Sequence, residues 1–424
     1  MVFKINGGRA LCGSLETESA KNSILPIMAA AMLTDERTVI KRCPKIADVV
    51  NMAEILSRLG TSTGFSEGNL IINARGLDSG LKSDGGQKSE AVLDVALSEK
   101  VRTSVLMLGA LSGKNGKAKI PYPGGCNIGE RPVDIHISAL KTLGAKIREE
   151  DGYIILDEPV KGGKAVLSFP SVGATENAII AAAKGKGESM IVNAAKEPEI
   201  VDLANFLNIL GAKVYGAGTS VVRVEGVEKL HGGEFTPSFD RIEAGTYLIA
   251  AAISGGEIEL RGVKAENISA LLSKLCDITC KFKIKNDIIY LHSGRKRSAF
   301  SLVTGPYPMF PTDLQAPMCS LAAVSGGVSR IKEEVFGKRF YHIGELAKMG
   351  ANVSLDGGVA KFLGVSRLRG AEVSAHDLRC GAALVLAGLN AEGTTVVRDI
   401  EHLERGYYQM DKKLRCLGAD VTRG

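Results

Sequence analysis

A short turn that recurs along the chain constrains its fold more than any other sequence feature. The turn reads Leu or Met, Gly, Ala, a polar or charged residue, then Val or Ile, and it joins the end of a helix to a strand. Clear copies occupy 143–147, 210–214, 349–353 and 417–421, with weaker copies at 59–61 and 277–280. The repeated glycine indicates a helix C-cap with positive φ. Six copies about 70 residues apart predict a pseudo-symmetric α/β fold.

A second pattern interleaves with the first: a helix rich in small residues, a short turn, then a strand. Its copies are 29–31 before 38–40, 108–110 before 118–120, 181–183 before 190–192, 250–252 before 258–260, 321–323 before 329–331, and 387–388 before 395–397. The small residues predict close helix packing. Several helix starts carry Ser or Asp suited to N-caps, and also Lys or Arg, which oppose the helix dipole and indicate an anionic ligand. Ordinary capped helices remain the alternative at each start.

Composition narrows the class of protein. With 45% hydrophobic and 24% charged residues, the 424-residue chain is typical of globular proteins and not of disordered ones. No apolar run reaches the roughly 18 residues of a membrane span, and we read no signal peptide. Eight cysteines are too few for a disulfide framework and favour a cytoplasmic protein. A net charge of +6 suits anionic small molecules, and without basic–aromatic interleaving we predict no nucleic-acid binding.

The sequence contains no complete motif for binding a cofactor or a metal. The chain has no Walker loop, and the Gly-Ala-Gly at 216–218 lacks the third glycine of a dinucleotide fingerprint. Cys276 and Cys280 have no second pair, and the histidines show no HExxH spacing, so we predict neither zinc nor an organic cofactor. His136, in a helix, is expected to be structural.

The sharpest local signal is the segment 121–134, where prolines and glycines predict a loop. It holds Cys126, five residues before Arg131. A cysteine in such a loop, close to an arginine, is expected to be exposed with a lowered pKa. The alternative is a buried structural thiol, as expected for Cys276, Cys319, Cys380 and Cys416.

Together with the segments 20–22, 311–316, 335–340, 377–379 and 404–407, this loop resembles a known family. The likeness is to the UDP-N-acetylglucosamine enolpyruvyl transferases, which catalyse the first committed step of peptidoglycan synthesis and are the target of fosfomycin. It covers about 4–421. Two departures are Phe169-Pro170, where some relatives have a charged residue, and the loss of the turn glycine at Thr279. The segment 77–87 cannot be aligned.

The resemblance implies a reaction between phosphoenolpyruvate and UDP-N-acetylglucosamine without a cofactor. Carbon 3 of the enol is protonated while the sugar 3-hydroxyl attacks carbon 2, and the tetrahedral ketal then loses phosphate. This chemistry needs a proton donor, a base and a dense cationic cluster.

Residue by residue, the resemblance implies the following roles. Cys126 corresponds to the proposed general acid that fosfomycin alkylates, and Asp313 to the carboxylate that takes the hydroxyl proton. The alternative role for Asp313 is a helix N-cap, which does not exclude the first. The phosphoenolpyruvate clamp corresponds to Lys21, Arg131 and Arg405, with Arg102 and Arg379 nearby. The nucleotide-sugar contacts correspond to Asn22, Arg131, Pro132, Val133, Asp134, Ile135, Ser171, Val172, Gly173 and Val335. Asp377 corresponds to an acidic partner that orients Arg379 or shuttles protons.

The implied fold is α/β: two domains, each an inside-out α/β barrel of three βαβαββ units. One domain takes 21–238, the other 1–20 with 239–424, and the site lies between them. Two alternatives stay open. One is the sister enzyme that acts on shikimate 3-phosphate, which lacks the Pro-Gly-Gly-Cys loop. The other is a non-catalytic UDP-sugar sensor, which the joint presence of Cys126, Asp313 and the clamp opposes.

Overall fold

The structure, a computed structural model, describes residues 1–75, 91–124 and 133–424. Their contacts divide the chain into two compact units. Unit 1 comprises Met1–Glu18 and Phe239–Gly424, and unit 2 comprises 19–75, 91–124 and 133–238. The chain therefore passes from unit 1 into unit 2 and back again.

The strands of the described residues are short. They are β1 (Val2–Asn6), β2 (Cys12–Glu16), β3 (Thr38–Ile40), β4 (Ser62–Ser66), β5 (Asn69–Asn73), β6 (Ala91–Val92), β7 (Ala118–Pro121), β8 (Lys146–Glu150), β9 (Tyr153–Glu158), β10 (Gly163–Val166), β11 (Glu188–Val192), β12 (Lys213–Tyr215), β13 (Val221–Glu225), β14 (Gly233–Phe235), β15 (Glu257–Arg261), β16 (Lys281–Lys285), β17 (Ile288–His292), β18 (Ser301–Val303), β19 (Val328–Lys332), β20 (Asn352–Asp356), β21 (Val359–Leu363), β22 (Glu372–Ser374), β23 (Thr394–Arg398) and β24 (Asp420–Arg423).

Helices alternate with these strands. The α-helices are α1 (Lys21–Ala30), α2 (Ala47–Arg58), α3 (Val95–Lys100), α4 (Met107–Lys114), α5 (Asp134–Thr142), α6 (Val172–Ala182), α7 (Pro198–Ile209), α8 (Arg241–Ser254), α9 (Ser269–Asp277), α10 (Gln315–Ala323), α11 (Tyr341–Lys348), α12 (Leu378–Asn390) and α13 (Met410–Cys416). Short 3₁₀ segments occupy Ala31–Leu33, Arg102–Leu106, Ala265–Ile268, Thr312–Leu314 and Ile400–Arg405.

The strands form four-stranded sheets that share one topology. In unit 1 the orders are β22-β23-β1-β24, β16-β17-β15-β2 and β18-β19-β21-β20, and in unit 2 they are β10-β11-β13-β12, β14-β3-β5-β4 and β6-β7-β9-β8. Each sheet has one parallel pair at an edge, such as β18 with β19, and two antiparallel pairs, such as β19 with β21 and β21 with β20. The run β18-α10-β19-α11-β20-β21 is thus a βαβαββ unit, as predicted, and each unit of the protein holds three.

Strands that are distant in sequence complete two repeats of unit 1 and one repeat of unit 2. Strand β2 of unit 1 pairs in parallel with β15. In unit 1, β1 from the N-terminus lies between β23 and β24, antiparallel to both. In unit 2, β14 pairs in parallel with β3, on the far side of that unit's sequence. In each unit, a repeat at one end of the unit's sequence therefore includes a strand from the other end. The first and last strands of the chain, β1 and β24, are neighbours in one sheet.

Helices lie at the centre of each unit. In unit 1, α8, α10 and α12 contact one another; α8 and α10 are buried along their whole lengths. These helices are buried on all sides, which explains why their sequences show small residues and no amphipathic stripe. In unit 2, α4 lies so close to α6 that a Cβ on Gly109 would fall 2.5 Å from the carbonyl oxygen of Asn177. The predicted close packing at small residues is confirmed.

The recurrent turn has the backbone that its glycine predicts. The turn residues with positive φ are Gly60 (88°), Gly144 (92°), Gly211 (93°), Thr279 (83°), Gly350 (86°) and Gly418 (87°). At Gly350 the next amide closes the helix end, because Ala351 N donates to Leu346 O at 3.1 Å. This is the Schellman arrangement. Thr279 adopts it without being glycine.

Candidate functional site

Unit 1 holds the carboxylate of Asp313 between two buried guanidiniums. Arg379 Nη2 donates to Oδ2 at 2.8 Å, and Arg339 Nη2 lies 2.7 Å from Oδ1. The Asp313 side chain is 24% exposed, whereas those of Arg339 and Arg379 are 5% and 6% exposed. Two charge-assisted contacts on different oxygens fix the carboxylate plane and leave one side of it open.

The charges of this cluster support one another. Burial by itself would raise the pKa of Asp313, but Arg379 and Arg339 outweigh it and hold that pKa well below its usual value. Burial also opposes the charge of Arg379, and there Asp313 and Tyr407 outweigh it and raise the pKa of Arg379. Asp313 is therefore ionised at neutral pH.

Asp313 does not cap a helix, so the N-cap alternative is wrong. It lies in the 3₁₀ turn Thr312–Leu314, whose N-cap position is Pro311, and neither that turn nor α10 has a side-chain cap. The reason is the fold: both carboxylate oxygens are taken by arginines from other segments. Sequence reasoning had no local signal for this.

The loop that carries Val335 is tied to the Asp313 turn through Glu333. Glu333 Oε1 accepts the backbone N–H groups of Val335 (2.8 Å) and Phe336 (2.9 Å), and Oε2 accepts the hydroxyl of Thr312 (2.9 Å). Arg339 Nη1 donates to the same Thr312 hydroxyl at 3.0 Å. Val335 thus has a fixed position near Asp313.

Asp377 precedes the first residue of α12, and Arg405 is the last residue of a 3₁₀ segment in the same unit. Asp377 Oδ1 caps α12 by accepting the N–H groups of Arg379 (2.8 Å) and Cys380 (3.0 Å). Asp377 therefore contacts Arg379 through the backbone only, while the guanidinium of Arg379 bonds to Asp313 and Tyr407. Arg405 is half-buried at the end of its 3₁₀ segment.

In unit 2, Lys21 is the first residue of α1. Its Nζ lies 2.8 Å from Asp48 Oδ2, and the Lys21 side chain is 14% exposed. A lysine at this position faces the positive end of the helix dipole, and Asp48, in the first turn of α2, offsets that charge. Asn22 follows Lys21 and is partly exposed.

Asn177 on α6 connects, through hydrogen bonds, the segments of unit 2 that carry other predicted residues. Its Nδ2 donates to Val105 O (3.0 Å) and lies 3.2 Å from His136 Nδ1, and its Oδ1 accepts Gly109 N at 2.7 Å. Val105 belongs to the turn that begins at Arg102. Burial lowers the pKa of Arg102 to about 10, and burial together with Arg102 lowers that of His136 to about 3. His136 is thus a neutral, buried packing residue, as predicted.

The side chain of Asn177 and its hydrogen-bond partners form a polar hub. The predicted nucleotide-sugar residues of unit 2 lie at helix starts around this hub. Val133 precedes α5, and Asp134 and Ile135 form its first turn. Ser171 caps α6, its Oγ accepting Ala174 N at 3.4 Å, and Val172 begins that helix. The ring of His136 lies against Gly173, where a Cβ would fall 3.0 Å from Cε1.

Two of the four thiols expected to be buried, Cys319 and Cys380, are buried, but the expectation is wrong for Cys276 and Cys416, which are exposed. Cys276 lies on α9 next to the buried Leu275, and its side chain falls off the buried face of that helix.

Several predictions lie outside the described residues: Cys126, Arg131, Pro132 and the segment 77–87. In the parts of the chain that are described, no group of three or more His, Cys, Asp or Glu side chains is arranged to hold a metal ion. No helix there has the length and apolar character needed to cross a membrane.

Sequence reasoning missed four side chains that hold the predicted ones: Asp48, Asn177, Arg339 and Tyr407. Arg339 and Tyr407 do fall within segments that carried the family resemblance. Asp48 and Asn177 had no signal, because a buried polar partner is recognised only when its contact is seen.

Comparison with known proteins shows the family and the fold. The family model of EPSP synthase (3-phosphoshikimate 1-carboxyvinyltransferase) matches residues 5–414. The enolpyruvyl transferase NikO from Streptomyces tendae superposes with a TM-score of 0.85 over 99% of this chain and 98% of its own, at 23% identity, which supports the fold. The chain therefore belongs to the EPSP synthase family of enolpyruvyl transferases.

Closer relatives within that family carry one name. A UDP-N-acetylglucosamine 1-carboxyvinyltransferase 2 from Caldanaerobacter subterraneus subsp. tengcongensis is 46% identical over 423 residues, 99% of each chain. A UDP-N-acetylglucosamine 1-carboxyvinyltransferase from Halothermothrix orenii is 43% identical over 422 residues, again 99% of each chain. The resemblance stated from the sequence is confirmed, as is the predicted fold class.

Proposed function

We propose that this chain transfers the enolpyruvyl group of phosphoenolpyruvate to the 3-hydroxyl of UDP-N-acetylglucosamine and releases phosphate. The observation that carries the proposal is the 46% identity, over 99% of both chains, to a relative named for this transfer. The ionised Asp313 between Arg339 and Arg379 supports it, because the reaction needs a base beside cationic groups.

Asp313 accepts the proton of the sugar hydroxyl as its oxygen attacks carbon 2 of phosphoenolpyruvate. Cys126 gives a proton to carbon 3, which yields the tetrahedral ketal. Phosphate then leaves with the proton held by Asp313, and carbon 3 returns a proton to the Cys126 thiolate, which restores the double bond and both side chains. In the free protein Asp313 is a weak base, since two arginines hold its pKa low. The carboxylate and phosphate of the substrate compete for guanidiniums, and that competition raises the basicity of Asp313 at the moment of reaction.

The remaining proposed site residues bind the two substrates. Lys21, Arg131 and Arg405 hold the anionic groups of phosphoenolpyruvate, with Arg102 and Arg379 nearby; guanidinium forks suit carboxylate and phosphate oxygens. Asn22 and Val335 contact the sugar nucleotide. The residues 131–135 take the uridine, and the N-terminus of α6 at Ser171, Val172 and Gly173 offers N–H groups to the diphosphate.

At the cellular level, we propose that the reaction takes place in the cytoplasm as the first committed step of peptidoglycan synthesis, with consequences for cell shape and division. We propose further that the two units correspond to the expected domains, 21–238 and 1–20 with 239–424. The proposal also makes Cys126 the site of alkylation by fosfomycin.

The test is phosphate release from phosphoenolpyruvate with either UDP-N-acetylglucosamine or shikimate 3-phosphate, each with and without fosfomycin. We expect release only with the UDP-sugar, abolished by fosfomycin. Release with shikimate 3-phosphate would assign the protein to the sister activity. Binding of the UDP-sugar without release would favour the sensor. A Cys126→Ser variant should bind the UDP-sugar yet lose turnover, and unchanged turnover would exclude Cys126 as the acid.

A further inference from the structure

A hydrogen-bond chain runs from Arg379 into the centre of unit 1. Arg379 Nη1 donates to Tyr407 Oη at 2.9 Å, and Tyr407 Oη lies 2.9 Å from Thr246 Oγ1. Thr246, on α8, donates in turn to the carbonyl oxygen of Ile242 at 2.8 Å. All three side chains are buried.

The direction of every bond in this chain is fixed. Thr246 has one hydroxyl hydrogen, which is used on Ile242, so Thr246 accepts from Tyr407. The hydrogen of Tyr407 is used on Thr246, so its oxygen is free to accept from Arg379. Burial raises the pKa of Tyr407 despite the opposing charge of Arg379, and its hydroxyl therefore stays protonated.

The guanidinium of Arg379 is consequently held at two different nitrogens. Nη2 bonds to Asp313, and Nη1 bonds to Tyr407. A single bond would let a long side chain pivot about its contact, whereas two bonds at the two ends of a planar fork define its plane. The ring of Tyr407 also lies beside the cation, with Arg379 Cζ 5.4 Å from the ring centroid.

We propose that Tyr407 and Thr246 are positioning residues for the transfer reaction. Through this chain they fix the guanidinium of Arg379, and with it the side from which Arg379 meets Asp313 and an anionic substrate. The inference rests on the roles proposed above for Asp313 and Arg379. Neither Tyr407 nor Thr246 is required to touch the substrate.

Tyr407→Phe removes the acceptor and leaves a buried charged donor without it. We expect kcat/KM for phosphoenolpyruvate to fall about tenfold, since a misplaced binding group costs transition-state stabilisation. Thr246→Val, which keeps the shape but lacks the hydroxyl, should cause a smaller loss, about threefold. Thr246→Ser keeps the hydroxyl and should stay close to wild type.

Tyr247→Phe is the matched control. Tyr247 follows Thr246 on α8 and is just as buried, but its hydroxyl has no hydrogen-bond partner among the residues described. Its loss should leave kcat/KM within about twofold of wild type. Melting temperatures of all variants separate loss of folded protein from loss of activity per folded molecule.

A double-mutant cycle decides whether Tyr407 acts through Arg379. In an Arg379→Lys background, the fork is gone and Tyr407→Phe should add less than about a twofold further loss. Equal losses in both backgrounds would overturn the inference, as would wild-type kcat/KM in Tyr407→Phe. Absence of turnover in the wild-type protein would instead refute the proposed function.

Discussion

His136 and Asn177 illustrate how one buried side chain sets the state of another. Both hydrogens of Asn177 Nδ2 are directed at acceptors, Val105 O and His136 Nδ1, so Nδ1 carries no proton. Asn177 and the ring against Gly173 together bring the starts of α5 and α6 close to the turn at Arg102. A polar hub of this kind specifies one arrangement of the helices because each of its bonds is buried.

His136→Asn should change how the stability of the protein depends on pH. Burial, with Arg102, lowers the pKa of His136 from 6.5 to about 3, so between these values the unfolded chain binds a proton that the folded chain does not. Stability from this group is complete above pH 6.5 and is lost as pH falls toward 3. Between pH 7 and 5 the wild-type free energy of unfolding should drop by about 2 kcal/mol more than that of His136→Asn.

Urea denaturation at both pH values measures this difference. His231→Asn, at an exposed position, is the control and should retain the wild-type dependence. Equal pH dependence in His136→Asn and wild type would show that the imidazole is not held neutral.

The end of each repeat's second helix is set by local backbone chemistry. Five of the turns place glycine at positive φ, and Thr279 occupies the same position at 83°. A β-branched residue there crowds its own backbone, which costs about 1–2 kcal/mol. The Thr279 hydroxyl offsets part of this by donating to Lys296 O at 3.0 Å.

Separate substitutions at two of these turns should shift the free energy of unfolding in opposite directions. Thr279→Gly should raise the free energy of unfolding by up to about 1 kcal/mol, because glycine adopts positive φ without strain. Gly350→Ala should lower it by about 1 kcal/mol, because a Cβ there meets no neighbour and the only cost is the backbone. Urea midpoints test both, and a less stable Thr279→Gly protein would mean that the hydroxyl bond outweighs the strain.

The two ends of the chain meet in one sheet of unit 1, where β1 pairs with β24 and Val2 N donates to Gly424 O at 3.0 Å. The N-terminal segment also supplies β2, the parallel partner of β15. Residues 239–424 alone therefore lack strands in two of the sheets of unit 1. Unit 2, by contrast, contains every strand of its described sheets within 19–238.

A permuted form of unit 1 should fold where the simple fragment does not. Joining 239–424 to 1–18 through a short Gly/Ser linker restores β1 and β2. A short linker is enough because the two chain ends that it connects are hydrogen-bonded neighbours. We expect cooperative urea unfolding for this permuted chain and for 19–238, and none for 239–424. Cooperative unfolding of 239–424 would show that β1 and β2 are dispensable to unit 1.

The sequence by itself determined six α/β repeats, their glycine turns and their small-residue helices, because these features depend on neighbours within one or two turns of chain. The βαβαββ order within each repeat followed from the family resemblance. Through its family resemblance it also identified Asp313 and Arg379 as candidate site residues. Only the tertiary structure decided which partners they have: Arg379 lies 66 residues from Asp313, and Tyr407 lies 161 from Thr246. The strand that completes the last repeat comes from the other end of the chain. Such contacts depend on how distant elements pack, and no local pattern encodes the distance between them.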